Sequence, residues 1–243
     1  RVFHNIYADF PIRGRSLDEI RADVAALGAP TGGGDEWIRT GRLKLFMDGG
    51  ILTGTAYMRQ PWGSKANEIF GISDPEYRGI LNLNADEFGM FVRAGAERNW
   101  SMTAHATGGG AMDVMLDAYE AVAKDIDILP LRFSVIHGNF FDSACIARMK
   151  AMGVVADAQP AWFYKDADAM LNILGQDRIH DYHPYRSLID AGVVVSAGSD
   201  HMVRFDDRTS INPYSPWLAM WTMVTRRTER GSVIEPGQAI TRE

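Results

Sequence analysis

Short apolar runs rich in β-branched and aromatic residues alternate along the chain with amphipathic stretches of helical period. The runs predict six strands, in order R-V-F-H-N-I-Y-A, R-L-K-L-F-M, W-S-M-T-A-H, L-R-F-S-V-I-H, V-V-A-D-A and V-V-V-S-A-G. Ser16 with Glu19, and Asn84 with Glu87, form capping-box patterns at the start of two intervening helices. Strands that alternate with helices indicate an α/β fold with a parallel sheet.

Two long stretches between these elements, residues 48–82 and 159–182, are rich in aromatic residues. Connections of that length are uncommon unless they serve a function, so we expect both to be loops that shape a substrate pocket. Further on, Asn212 is expected to cap a helix that carries Trp and Met residues between positions 217 and 224. Their helical spacing predicts that they belong to the core.

The six strand–helix units run through residues 1–243 without an internal domain boundary. A complete (β/α)₈ barrel has eight such units in about 250 residues. The pattern therefore predicts either part of a TIM-type (β/α) barrel or an open six-stranded sheet.

Composition and charge narrow the class of protein. The chain has 243 residues, a net charge of −6 and no Lys/Arg cluster, so nucleic acid is not an expected partner. No apolar run approaches the roughly 20 residues of a membrane span. The single cysteine, Cys145, excludes an internal disulfide and fits a reducing, cytoplasmic location; its spacing from Met149 predicts a buried helix residue. No signal peptide is visible, and the strand-like start suggests that the natural N-terminus is missing.

Ionisable residues fall at the ends of three of the predicted strands. His105 and His137 each end a strand, and Asp200 follows a third. The carboxyl ends of parallel strands meet at one edge of the sheet, where α/β folds build their active sites. Imidazole nitrogen and carboxylate oxygen are ligands of Zn²⁺. The pattern therefore predicts a divalent metal site. Lys44 lies inside a predicted strand, and because buried lysines are rare unless they are paired or neutral, it is a further candidate for the same site.

Each of these residues also has a simpler interpretation. A histidine after a strand can be an ordinary polar residue, an aspartate there can cap the next helix, and Lys44 can face solvent on an edge strand. His137 and Asp200 could also form a metal-free acid–base pair. His201 is a candidate for substrate binding, whereas His180 and His183 lie in a loop context that favours packing or solvent exposure.

A series of motifs in order along the chain resembles the YtcJ-like metal-dependent amidohydrolases, the amidohydrolase family 3 type. The motifs are K-L-F-M-D-G-G, H-A-T-G-G-G-A-M-D-V-M-L-D-A-Y-E, R-F-S-V-I-H, Q-P, Y-R-S-L-I-D-A-G-V, G-S-D, N-P, V-T-R and G-Q-A-I-T-R-E. The resemblance implies a (β/α)₈ barrel with a small β-sandwich built from both chain ends. It also implies hydrolysis of an amide or similar C–N bond by a metal-activated water, with a small amide as substrate.

By this resemblance, Lys44 is the strand-4 lysine, which related members carboxylate to bridge two metals. His105 and His137 are the ligands from strands 5 and 6. Asp200 is the strand-8 aspartate, which binds metal and takes the proton of the attacking water. The expected cofactor is one or two divalent ions, zinc by preference. Trp62, Trp162, Tyr164 and His201 are expected to contact substrate.

The chain departs from the family pattern in ways that keep an alternative open. The His-x-His pair of strand 1 has no counterpart, Gly109–Gly110 stand where Asp-Arg is usual, and Ile136 stands where an acidic residue is usual. We therefore expect strands 3 to 8 of a barrel, without its first two units or its sandwich. The open edges would then need a further chain segment or an oligomer partner. The alternative is a folded but non-catalytic or metal-free barrel fragment.

Overall fold

The computed structural model describes residues 1–201 and 206–242. Within them the strands are Val2–Tyr7 (β1), Ile38–Phe46 (β2), Met102–Ala106 (β3), Ser134–His137 (β4), Val155–Ala158 (β5) and Val195–Ala197 (β6). The helices are Leu17–Ala26 (α1), Ser64–Phe70 (α2), Ala85–Ala96 (α3), Gly109–Ala123 (α4), Ser143–Met152 (α5), Pro160–Leu174 (α6), Gln176–Ile179 (α7), Tyr185–Asp190 (α8) and Pro216–Thr225 (α9). A short 3₁₀ helix covers Pro236–Gln238.

The strands form one sheet in the order β1-β2-β3-β4-β5-β6, and each pairs in parallel with the next. Sequential parallel strands joined by helical crossovers are the arrangement of a (β/α) barrel. The α/β prediction is confirmed, and the sheet is consistent with an incomplete TIM-type barrel. Because the strands are parallel, all their carboxyl ends lie at one edge of the sheet, which is the edge where the candidate site residues are expected.

Local signals in the sequence determine where several helices begin. Ser16 and Asn84 each accept the backbone N–H of the residue three positions on, and Glu19 and Glu87 return the bond, so both capping boxes are present. The main core lies between the helices and the sheet, and on the helix side α1 packs on α3 and α3 packs on α4. Full burial of an aromatic side chain such as Phe88 contributes about 1.5–3 kcal/mol.

The segment 159–182 is helical, so its prediction as a loop is wrong. Pro160 occupies the first turn of α6, where its missing N–H costs nothing. The helix buries Phe163, Ala167 and Met170 in a second core cluster beside α2. These positions are three and four residues apart, which is the spacing of an amphipathic helix. The other aromatic and polar residues of the segment made this spacing hard to recognise in the sequence. Residues 48–82 likewise contain α2, although most of that stretch is irregular.

The helix near the C-terminus exists, but two predictions about it are wrong. Its N-cap is Ser215, whose hydroxyl accepts the N–H of Leu218, and not Asn212. Most of its Trp and Met side chains do not fill the core: Trp217 is 75% exposed and Met220 is 56% exposed, whereas Met223 is buried. Helical spacing places these side chains on one face but does not supply the surface that would cover them.

Both outer strands have an open side within the described ranges, since β1 pairs only with β2 and β6 only with β5. Apolar side chains at these edges, among them Phe3 and Val194, are more than half exposed. Open strand edges of this kind are surfaces on which further strands can pair. Among the described helices, none combines the length and apolar character needed to cross a membrane.

Candidate active site

A cavity of about 490 Å³ opens at the carboxyl edge of the sheet. It collects four residues that sequence analysis singled out as candidate metal ligands: Lys44 from β2, His105 from β3, His137 at the end of β4, and Asp200 beyond β6. Its other described lining residues are Phe46, Gly50, Ile51, Leu52, Thr107, Asn139, Trp162, Asp166 and Ile211. Parallel pairing of the strands brings these residues together although they are up to 156 positions apart in sequence.

The two histidines lie against each other, with ring centroids 4.5 Å apart and ring planes near perpendicular. His105 Nε2 lies 3.1 Å from the carbonyl oxygen of Gly49, and His137 Nδ1 lies 2.7 Å from Oε1 of Gln159. With the N–H on each of those nitrogens, the lone pairs that remain are on His105 Nδ1 and His137 Nε2. Neither of these two nitrogens hydrogen-bonds to a described residue, so each ring retains one nitrogen whose lone pair is available to a metal ion.

Burial keeps both imidazoles neutral. Desolvation lowers the pKa of His105 to about 4, with a further contribution from His137. Desolvation also lowers the pKa of His137 to about 4, although the hydrogen bond to Gln159 opposes it. Metal coordination requires the neutral ring, so the environment already selects the ligating form.

Asp200 is held by the indole of Trp162, whose Nε1 donates to Oδ2 at 3.1 Å. Trp162 lies in the first turn of α6, which follows directly from β5. Asp200 and His137 both adopt left-handed backbone conformations, with φ values of 51° and 76°. Such backbone conformations are unfavourable for residues other than glycine, and they cluster at functional sites.

Lys44 lies on β2 between Tyr7 of β1 and Thr103 of β3 in the strand register. Its ammonium group sits 4.7 Å from the ring centroid of Phe46. The side chain is half-buried, and desolvation lowers the pKa of Lys44, while the charges of Asp200 and Asp157 act to raise it. Lys44 therefore faces the cavity. The simpler interpretation, in which Lys44 faces open solvent on an edge strand, does not match this position.

Asp48 is a central residue that the sequence analysis did not single out. Its buried carboxylate accepts the backbone N–H groups of Tyr57, Thr107 and Gly108 at 2.8–2.9 Å, and it lies 3.5 Å from His105 Nε2. Burial raises the pKa of Asp48 to about 7, although these hydrogen bonds act to lower it. The signal was an aspartate directly after a strand, in F-M-D-G-G, the same signal that pointed to Asp200.

The glycines after His105 allow a close approach between two backbones. A Cβ atom on Gly108 would lie 2.1 Å from the carbonyl oxygen of Tyr57, and one on Gly110 would lie 2.8 Å from that of Met58. The first turn of α4 therefore packs directly on the 57–59 segment. Gly110 is one of the two positions that depart from the family's Asp-Arg pattern, and this close backbone contact is a packing reason for the glycine there.

Three of the residues expected to contact substrate lie outside the cavity lining. Trp62 is fully buried in the second core cluster, where its Nε1 donates to the carbonyl oxygen of Ala56, so it forms no cavity wall. Tyr164 points to the other side of α6, edge-on to Trp221, because it lies two residues from Trp162 on the helix. His201 packs on Tyr214 beside the cavity and not in its lining.

His180, His183 and Cys145 are placed as expected. His183 is buried against Tyr182 and Tyr185, and His180 is exposed. Cys145 is buried in α5, and burial raises the pKa of its thiol to about 12, which removes it as a nucleophile at neutral pH.

The lining residues fit a divalent ion in donor chemistry. The cavity offers two neutral imidazoles, each with one free nitrogen, and the carboxylate of Asp200. In the described part of the chain, however, no three His, Cys, Asp or Glu side chains are gathered closely enough to form a ready-made metal cluster. The two imidazoles are therefore adjacent, whereas the Asp200 carboxylate does not form a compact cluster with them among the described residues.

Comparison with known proteins gives matches over most of the chain. Residues 5–243 match the sequence model described as "Amidohydrolase family". The putative amidohydrolase YtcJ of Bacillus subtilis is 25% identical over 192 residues, which are 79% of this chain and 32% of that protein. The N-substituted formamide deformylase of Arthrobacter pascens is 33% identical over 143 residues, covering 58% of this chain and 24% of that one.

A solved structure supports the fold independently. An uncharacterized metal-dependent hydrolase from Pyrococcus furiosus superimposes with a TM-score of 0.69 and 22% identity, over 92% of this chain and 41% of the other. The chain spans between about a quarter and a third of the length of the curated relatives it matches. Because the family match extends over nearly all 243 residues, the chain belongs to the amidohydrolase family.

Proposed function

We propose that the protein containing this chain is a metal-dependent hydrolase that cleaves an amide or similar C–N bond. The observation that carries the proposal is the convergence on one cavity of Lys44, His105 and His137, from three strands, and Asp200, from the segment after β6. Membership of the amidohydrolase family supports the same chemistry. The name of the Arthrobacter pascens relative, an N-substituted formamide deformylase, supports a C–N bond as the target.

His105 and His137 would hold a divalent ion, zinc by preference, through His105 Nδ1 and His137 Nε2. Such an ion supplies a water of lowered pKa and polarises the carbonyl of the substrate. Asp200 would accept the proton of the attacking water at one carboxylate oxygen and deliver it to the leaving nitrogen. The hydrogen bond from Trp162 fixes the other oxygen, so that the carboxylate is oriented before the substrate arrives.

Lys44 is proposed as a further residue that would hold the metal, in a carboxylated form. Desolvation lowers the pKa of Lys44, which increases the neutral amine fraction that can react with carbon dioxide. Its position on β2 between the edge strand and the two histidine strands puts the nitrogen on the side of the cavity.

The open sides of β1 and β6 are proposed to be covered in the functional protein. The covering element is either further barrel strands from another part of the same protein or a second subunit. Exposed apolar side chains such as Phe3 and Val194 support this, since burying a large apolar side chain contributes about 1.5–3 kcal/mol.

The test uses the full-length protein with a panel of N-substituted formamides and acetamides, following release of the amine. Elemental analysis should find divalent metal, and removal with a chelator should abolish both hydrolysis and part of the thermal stability, with recovery on adding Zn²⁺. Asp200→Asn should lower kcat by about 10²–10⁴ while metal content is retained. Asp190→Asn, on an exposed part of α8, is the matched control and should leave kcat unchanged.

Three results would overturn the proposal. The first is undiminished hydrolysis after complete removal of metal, which would favour a metal-free acid–base pair. The second is an Asp200→Asn variant with the activity of the wild type. The third is a protein with neither bound metal nor any response to added Zn²⁺, which would favour a non-catalytic fragment.

A further inference from the structure

The cavity has a second polar wall that the proposed chemistry does not use. It consists of Asn139, two residues beyond His137, and Asp166 on α6, with the hydroxyl of Tyr182 behind them. Asn139 is 3% exposed and Asp166 is 6% exposed, yet both line the cavity. We call these three residues the acceptor wall.

Asp166 is a buried carboxyl group with no hydrogen bond or ion pair to any residue in the described ranges. Its sequence neighbour Lys165 does not serve as a partner, because it pairs with Glu229. Burial raises the pKa of Asp166 to about 7, which shows how poorly its surroundings compensate the charge. A helix position that served packing alone would accept an apolar residue at lower cost.

The other two members of the acceptor wall are also incompletely bonded. Oδ1 of Asn139 and the hydroxyl of Tyr182 are buried without a partner among the described residues. Burial raises the pKa of the Tyr182 hydroxyl and the charge of Asp166 adds to the increase, whereas the neighbouring side chain of Asn139 acts to lower it, so the three groups share one locality. Buried polar atoms in folded proteins are rarely left unpaired, and several together point to a missing ligand group or ordered water.

The chemistry of these atoms specifies what would complete them. The Asp166 carboxylate and the Asn139 carbonyl oxygen are acceptors, so the missing group must donate several hydrogen bonds. A primary ammonium carries three N–H donors and a charge that compensates the carboxylate, which a hydroxyl group does not. The cavity lining also has an apolar part, formed by Phe46, Ile51 and Leu52, so the body of the ligand should be apolar.

We propose that the acceptor wall binds a protonated amino group, and that the substrate is an amide whose apolar body carries a primary ammonium remote from the cleaved bond. Only the statement that this ligand is the substrate rests on the proposed function; the binding of the ammonium stands apart from it. Asp166 lies one helical turn beyond Trp162, which contacts Asp200. The rise of an α-helix puts about 6 Å of helix axis between the two positions.

The test measures binding without hydrolysis, by calorimetric titration of the full-length protein with benzylammonium and with benzyl alcohol, its neutral analogue, at about pH 8. The wild type should bind benzylammonium at least about tenfold more tightly, as expected for charge-assisted hydrogen bonds. Asp166→Asn keeps the shape of the side chain and should reduce this preference to about twofold or less. Asp168→Asn removes the same charge from the same helix outside the cavity lining and should retain the full preference.

The outcomes separate this inference from the proposed hydrolysis. Equal affinity of the wild type for the two ligands would overturn it even if Asp166→Asn failed to fold. A preference that survives Asp166→Asn would place the ammonium elsewhere in the cavity and would also overturn it. Because neither ligand contains an amide, failure of the protein to hydrolyse amides leaves both results unchanged, and loss of ammonium binding leaves the hydrolase test unchanged.

Discussion

Replacing Asp48 by asparagine should destabilise the protein and weaken the contact between residue 48 and His105 Nε2. The carboxylate accepts one N–H through Oδ1, from Thr107, and two through Oδ2, from Tyr57 and Gly108. Asparagine can accept at only one of these positions. In its better orientation the amide nitrogen faces Thr107, so one buried N–H loses its acceptor and the other two lose a charged one.

The expected cost follows from the number of bonds affected. A hydrogen bond to a charged acceptor contributes about 1.5–3 kcal/mol, and an unpaired buried N–H costs about 1–3 kcal/mol more. Removing a poorly solvated charge offsets part of this, because burial raises the pKa of Asp48 to about 7. We expect a net loss of about 3 kcal/mol at pH 8, where Asp48 is ionised. For a chain of this length that lowers Tm by about 6–12 °C.

The assay is thermal unfolding followed by circular dichroism, with urea unfolding as a second measure of the free energy. Asp35→Asn is the matched control, since Asp35 also accepts two backbone N–H groups, from Trp37 and Ile38, but on the exposed surface. Solvent can replace those bonds, so the control should lose about 1 kcal/mol or less. A Tm for Asp48→Asn within 2 °C of the control would refute the reasoning.

Two further predictions concern backbone contact and pH. Gly108→Ala should cost at least about 2 kcal/mol, measured by urea unfolding, because the new Cβ would meet the Tyr57 carbonyl oxygen. Gly89→Ala is the control: its Cβ would meet only the Cβ of Ala118, at an ordinary contact distance of 3.9 Å, so the change should be neutral or stabilising by up to about 1 kcal/mol. The raised pKa of Asp166 means that its contribution to stability is full below about pH 4 and is lost as the pH rises through about 7. Asp166→Asn should therefore gain Tm relative to the wild type between pH 5 and pH 8, whereas a constant difference would contradict this.

The sequence contained enough information for the strands, for several helix ends and for the residues at the strand ends. Residues that act through neighbours in the chain were predictable, because a capping box such as Ser16 with Glu19 is complete within four positions. The alternation of strands and helices then leaves few topologies, and parallel order puts His105 and His137 at one edge. Their convergence follows from that order.

The errors have a common physical cause. Whether an aromatic residue lines a cavity or fills a core depends on which surface covers it, and that surface comes from distant parts of the chain. Trp62 and Trp162 look alike in sequence, yet one is buried beside α2 and the other donates to Asp200. The exposed face of α9, with Trp217, shows the opposite case, in which helical spacing predicts burial that no described element provides.

By itself the sequence determined the fold class, the family and the four residues that meet at the strand ends, since each depends on local pattern or on motif order. Only the tertiary structure decided how those residues are held. It assigned Gln159 and the carbonyl oxygen of Gly49 to orient the two imidazoles, and it placed Asp48 under three backbone N–H groups. It also left Asp166 buried at the cavity wall without a partner among the described residues. These facts depend on distances between segments far apart in the chain, which no local pattern encodes.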